Sequence, residues 1–389
     1  MRCVLVALLL VTTGAVVAGP KPGEEGTPEF EKATGLVKQL GDPRFPVREA
    51  AARQLVEMGH AAAPALRQGS KADDQEVRSR SSALLPQAKA AGWKRLAEAL
   101  VAKPEEKHDL PLLADWNKLI GKSDAASRKL FANILQTDGD FLDQVAAERE
   151  KAAAICAARS EAIFNLVRRP GGQRKAELGS LAAVLFVDAL SPAGVSTSES
   201  VPAYLLKNPG IAESFDAAET GPAVRRLLIR WLEAQPAYSP VAKVQFAELA
   251  RRKPFPEAVP VLATLAKDTA NRQLILRLLA IEALGAAGGK DAATALAEFV
   301  PDATVILRLG GPDGPDGPRF GEQALAASLI LHGKKVEDYG LTSTKQYFFP
   351  PVGKDNIPMT VYGVRDDEAR AKAIRKWAAE IATKGSGKK

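Results

Sequence analysis

The chain is poor in the side chains that carry most enzyme chemistry: its 389 residues include three histidines, His60, His108 and His332, and two cysteines, Cys3 and Cys156. The histidines lie far apart, in a loop, near a proline-rich connection and at a helix end. None shows the HxxxH or HExxH spacing that sets two zinc-binding imidazoles on one helical face. No G-x-S-x-G elbow, P-loop or dinucleotide fingerprint occurs. In "GGPDGPDG" the prolines remove N–H groups that a phosphate nest needs. Asp138 and Asp140 in "QTDGDFLD" look like half a calcium loop. The bidentate acid expected about seven residues on falls at Ala147 or Glu148 in a helical stretch, which favours a helix start capped by aspartate. These absences point to no catalytic residue, cofactor or metal ligand.

Aromatic residues are scarce as well, at 6%, while alanine is abundant. That balance suits closely packed short helices and argues against β-sandwiches, whose strands favour β-branched and aromatic residues. With 46% hydrophobic and 25% charged residues the chain has the material for a large core, so an all-α fold is expected.

Long apolar runs are missing except at the amino end. "MRCVLVALLLVTTGAVVAGP" has one positive residue, an apolar run from Cys3 to about Val11, then small residues ending in Val16-Val17-Ala18. This is the pattern of a signal peptide cleaved after about Ala18. Thr12, Thr13 and Gly14 leave the run short of the roughly 20 apolar residues that a membrane-spanning helix needs. Export is expected, to the periplasm or medium, without stable membrane insertion. Once the leader is gone Cys156 has no partner for an intramolecular disulfide, and its place in "EKAAAICAARSEAIF" reads as a buried helix interior.

An excess of 53 Lys+Arg over 46 Asp+Glu gives a net charge of +7. Much of the surplus is terminal: Arg2 lies in the leader, and Lys384, Lys388 and Lys389 lie in a polar tail. Elsewhere basic and acidic residues alternate, as on a solvated surface, so nucleic acid is not the expected partner.

What the chain has in abundance is repetition. "GDPRFPVREAAARQLVEMG" holds Val47-Arg48, Ala51 and Leu55; Val77-Arg78, Ser81 and Leu85 follow thirty residues on. Val224-Arg225, Leu228, Leu232 and Leu276-Arg277, Ala280, Leu284 repeat the pattern. The i, i+4, i+8 spacing puts these side chains on one helical face, and a small middle residue admits a close neighbour. Partner helices precede the copies: "FEKATGLVKQLG" from Phe30, ended by Gly41-Asp42-Pro43, and "PEAVPVLATLAKD". Pro64 and Pro260 mark helix starts. A two-helix unit this short covers only part of its apolar face, so several must stack to close a core.

"LGDPRFPVREAAARQLVEMG…APAL" resembles a HEAT repeat, with Asp42 in the turn and Val47-Arg48 opening the second helix. "VPVLATLAKD…LRLLAIEALGAAGGKDAATALAEFV" resembles the short HEAT-like repeat of the PBS-lyase type. Further stretches, among them "GWKRLAEAL", "ALAASLILHGKKVEDYGL" and "YGVRDDEARAKAIRKWAAE", are similar to a group of exported bacterial HEAT-like proteins. The resemblance implies an α-solenoid, a right-handed stack of antiparallel helical hairpins with a concave face, and an interaction protein; it lends no catalytic residues.

The layout expected is a signal peptide (1–18), a linker (19–28), N-terminal repeats (29–90), an irregular helical middle (91–209) where the Val-Arg signature is lost, C-terminal repeats (210–339), an extended loop and terminal helix (340–384), and a flexible tail (385–389). A small β-hairpin is expected near 302–323. "SPAGVSTSES" reads as a surface loop. Residues 342–363 read as an extended, proline-broken segment before a helix that Asp366 and Asp367 start and Trp377 anchors. In that segment Tyr347, Phe348 and Phe349 form the one candidate partner-binding cluster. The function expected is a non-catalytic protein-interaction scaffold with a protein partner; the alternative is an enzyme, a lyase or hydrolase, with its site on the concave face.

Overall fold

In the computed structural model, residues 25–121, 123–168, 176–190, 206, 209–234, 240–268, 274–306, 317–348 and 357–382 are described. The leader with its cleavage point after Ala18, the 191–200 loop, most of the glycine-proline run at 307–316, Phe349 and the 385–389 tail lie outside them. The chain divides into two compact units, Met1–Arg95 and Leu96–Lys389.

The first unit begins with α1 (Pro28–Gln39), whose N-cap Thr27 accepts a hydrogen bond from the Phe30 amide. A turn built on Asp42 leads to α2 (Phe45–Met58), then α3 (Ala63–Gly69) and the start of α4 (Gln75–Ala102). Gly59 ends α2 at a φ of 63°, in the left-handed region that favours glycine. Leu36, Val37, Leu40, Ala51, Leu55, Leu66 and Val77 close one apolar core. Each fully buried leucine contributes about 1.5–3 kcal/mol. Of the apolar and small signature side chains in this unit, Ala51, Leu55, Val77 and Ser81 are buried and Val47 and Leu85 stay part-exposed. Gly69 of α3 admits α4 closely: a methyl group there would overlap the Ser81 hydroxyl and lie 2.6 Å from Val37.

The second unit continues with α5 (Leu113–Ile120), α6 (Ala125–Ala147), α7 (Ala152–Arg168), α8 (Leu178–Leu190), α9 (Pro209–Ser214), α10 (Gly221–Ala234), α11 (Pro240–Arg252), α12 (Val259–Lys267), α13 (Leu274–Ala287), α14 (Gly289–Phe299) and α15 (Phe320–Leu331). A ribbon of β1 (Thr342–Phe348) and β2 (Ile357–Gly363) and then α16 (Asp367–Trp377) complete it. Two helices are apolar almost all round and therefore central. α8 packs on α6, α7 and α10, and α13 on α11, α12, α14 and α15. Gly179 lets α8 approach α6, since a methyl there would overlap the Asn133 carbonyl and the Thr137 hydroxyl. Asp366 caps α16 by accepting from the Ala369 amide at 2.8 Å, and Trp377 anchors it by donating to Ser328 at 3.0 Å.

The signature arginines explain why each hairpin closes. Arg48 donates to the Asp42 and Pro43 carbonyls at 2.8 and 3.1 Å, and Arg78 to those of Ala72 and Asp73 at 2.5 and 3.1 Å. Arg225 reaches the Phe215 carbonyl at 2.7 Å and Arg277 that of Ala266 at 2.8 Å. Each guanidinium thus ties its own helix to carbonyls that the turn before it leaves without helical partners.

Between Gly92 and Pro209, where the Val-Arg signature is lost, α6 makes the same turn-closing contact without it. Arg128 of α6 donates to the Ser123 carbonyl at 2.8 Å, and Asp124 caps the helix through the Ser127 amide at 2.9 Å. Ser127, Phe131 and Leu135 occupy the buried i, i+4, i+8 positions. Here serine stands where the other copies carry valine or leucine.

The fold is all-α, HEAT-like helical hairpins with a small antiparallel hairpin, but the ladder differs in place from the expected one. It is formed by Thr342–Phe348 and Ile357–Gly363, the segment read as merely extended. Around 302–323 the described residues hold a single antiparallel bridge, Val305 with Arg319. The return segment becomes helix at Phe320, and the Gly321 amide donates to the Asp302 carbonyl at 2.9 Å.

Candidate functional site

Within the first unit, α2 and α4 are the second helices of the first two repeats, and a groove of about 520 Å³ runs between them. Its apolar floor is Ala52, Val56 and Leu84, and Ala83 keeps one wall low. The geometry follows from the repeat pattern. Ala51 and Leu55 turn inward to the core, which leaves their neighbours Ala52 and Val56 on the flank that meets α4.

Charged side chains rim the floor. Arg80 of α4 donates to Glu49 of α2 at 2.9 Å and to Glu76 of its own helix at 2.5 Å. Those hydrogen bonds, Glu76 first and Glu49 next, push the Arg80 guanidinium further above its usual range. Arg48 lies 3.7 Å from the same Glu76, so one charge chain joins the two helices. Arg53, Glu57 and Gln87 complete the rim. The groove thus offers apolar contact on its floor and charge of both signs on its rim.

A second groove, of about 590 Å³, lies in the other unit between α6 and α7. Asp138 is at its base, where α6 breaks from helical geometry and resumes. The Asp138 carboxylate is buried, accepts from Arg159 at 2.5 Å and also accepts from the Ser180 hydroxyl. It is therefore committed to joining α6, α7 and α8, and the helix resumes beyond it, carrying Asp140. Among the described residues no group of three or more His, Cys, Asp or Glu side chains is placed to hold a metal ion.

The histidines are engaged locally. His60 packs edge-on against Trp93, ring centroids 4.1 Å apart, over Gly92. His108 meets the Lys103 carbonyl at 2.9 Å, and His332 that of Ser328 at 2.7 Å at the end of α15. Cys156 is buried on α7, its Sγ donating to the Val184 carbonyl at 3.5 Å; burial pushes the thiol up to about 12. Tyr347 and Phe348 fall on β1, but their side chains, like all of Phe349, lie outside what is described.

The groove was not anticipated, because its floor is Ala, Val and Leu from helices about thirty residues apart in sequence, indistinguishable from core residues. The repeat period was the one signal able to find it, since it sets consecutive second helices side by side.

Residues 47–71 match the family of the PBS lyase HEAT-like repeat. The matched window opens at Val47-Arg48 in α2 and closes just after α3, so one wall of the groove belongs to it. No curated protein matches the chain. No described helix is long and apolar enough to cross a membrane.

Proposed function

We propose that the chain is an exported, non-catalytic protein-interaction scaffold whose partner seats in the groove between α2 and α4. Its helical-repeat build supports a scaffold, and HEAT-like repeats commonly mediate protein interaction. The single observation that carries the assignment of the site is the groove itself: an apolar floor open to solvent, rimmed by the Arg80–Glu49–Glu76 chain. Such a surface recognises a helix or loop through buried apolar contact, with the rim charges setting register. The leader ending at Ala18 supports export.

The test replaces Leu84 by glutamate. Leu84 is only part-buried, so the charge can reach water from the groove floor and the helix remains. Mature wild-type chain and Leu84→Glu are compared in affinity capture from the exported fraction, with circular dichroism confirming equal helicity. The reading requires a protein retained by wild type and lost with L84E. Identical capture by both chains removes the groove from the account.

A further inference from the structure

The ribbon of the second unit has one closed edge and one open edge. β2 is closed by side chains. Gln323 of α15 donates through Nε2 to the Thr360 carbonyl at 3.0 Å and accepts through Oε1 from the Tyr362 amide at 3.1 Å. The Glu282 carboxylate of α13 accepts from the Thr360 amide. A side-chain amide and a carboxylate thereby stand in for a third strand.

This fixes the state of β1. Backbone groups of an antiparallel pair alternate between facing the partner and facing away. Since Thr360 and Tyr362 turn their groups away from β1, their opposite residues Lys345 and Ser343 turn theirs away from β2. Among the described residues nothing pairs with those outward groups, and Thr342, Ser343, Thr344 and Lys345 are all exposed.

We propose that the open edge of β1 takes up an extended segment of another protein as a third strand, with a carboxylate side chain set opposite Lys345. Outward N–H and C=O groups repeating every second residue are matched in spacing by another extended backbone. A second copy of this chain is the natural rival, because edge strands invite self-pairing. Lys345 opposes it. It is the midpoint of Thr342–Phe348, so two-fold antiparallel pairing along the full strand would set Lys345 against its own copy. Like charges directly opposite are destabilising, whereas an acid in that place is favoured. This surface is separate from the α2/α4 groove, and the proposal stands whether or not that groove binds a partner.

The probe is a synthetic strand of β1's length, acetyl-Thr-Val-Thr-Glu-Thr-Val-Thr-amide, labelled for fluorescence anisotropy and added to the full mature chain. Saturable binding with slowed hydrogen exchange at the Ser343 and Lys345 amides is expected. N-methylation of the peptide amides that face β1 alters only the ligand and should weaken binding about tenfold or more. Lys345→Glu should weaken the glutamate peptide and favour its lysine-centred counterpart. Unprotected amides, indifference to N-methylation, or no exchange of preference with K345E would each overturn the proposal. So would amides already protected in a dimer of the chain alone, seen by sedimentation.

Discussion

Trp116 donates its indole N–H to the Ser127 hydroxyl at 2.9 Å, both side chains buried, at the position where the other repeats carry Val47, Val77, Val224 or Leu276. Trp116 also packs tilted against Phe131 and edge-to-face with Phe186, at centroid distances of 5.4 and 5.2 Å, so the bond locks an aromatic cluster onto α6. Restoring the repeat consensus here should therefore destabilise. Ser127→Val leaves the indole N–H unsatisfied at a cost of about 1–3 kcal/mol, and adding Trp116→Phe should recover part of it, because both polar groups are then gone. Urea unfolding of the two variants checks the sign.

The signature arginines should differ in worth according to burial. Arg277 is buried, donates to Ala266 and Asp302, and lies 4.1 Å over the Phe320 ring. Arg277→Met removes the Asp302 ion pair, leaves that carboxylate only its Thr304 partner, and should cost about 2–3 kcal/mol. Arg48→Met loses bonds to carbonyls that water can reach and should cost about 1 kcal/mol. Equal losses in denaturant titrations would contradict the assignment.

Glu282 supplies a pH signature. Burial pushes its carboxyl up to about 7, against the pull of Arg251, whose guanidinium lies 3.5 Å away, while Glu248 pushes it further up. A folded pKa raised above the ordinary value of 4.5 means that the protonated form suits the fold. Its contribution is complete below the unfolded value and is lost as pH rises through 7. Wild type should therefore lose stability relative to Glu282→Gln between these limits. A difference that does not vary with pH across that window would refute it.

Cys156 should resist thiol reagents in the native mature chain. Burial, with the Asp188 charge adding to it, holds the thiol protonated near a pKa of about 12. Labelling with a disulfide reagent is expected only on unfolding, one equivalent per chain; rapid native labelling would show the α7 packing to be wrong.

How much of this the sequence reveals depends on whether a residue works locally. Val47-Arg48, Val77-Arg78, Val224-Arg225 and Leu276-Arg277 were legible because the i, i+4, i+8 face and the turn-closing arginine lie within one hairpin. The copy at Ser127-Arg128 was hidden: a polar residue occupies the apolar slot, and only Trp116 from the preceding helix makes that tolerable. Its partner α5 starts from Leu112 at a φ of 60°, a left-handed conformation for which leucine gives no sign. Residues 342–363 read as irregular because β1 is exposed along its first half and lacks the alternation of a half-buried strand. The groove and the Glu282–Arg251 contact depend on helices about thirty residues apart meeting in space, which periodicity predicts as neighbourhood but not as site.

The central claim is that the partner is held between α2 and α4, and photo-crosslinking from single positions tests it most directly. A benzophenone side chain at Gln87, on the groove rim, should yield a crosslinked partner from the exported fraction, and the same side chain at Lys38, exposed on α1, should not. Adducts from Lys38 with none from Gln87 would contradict the account.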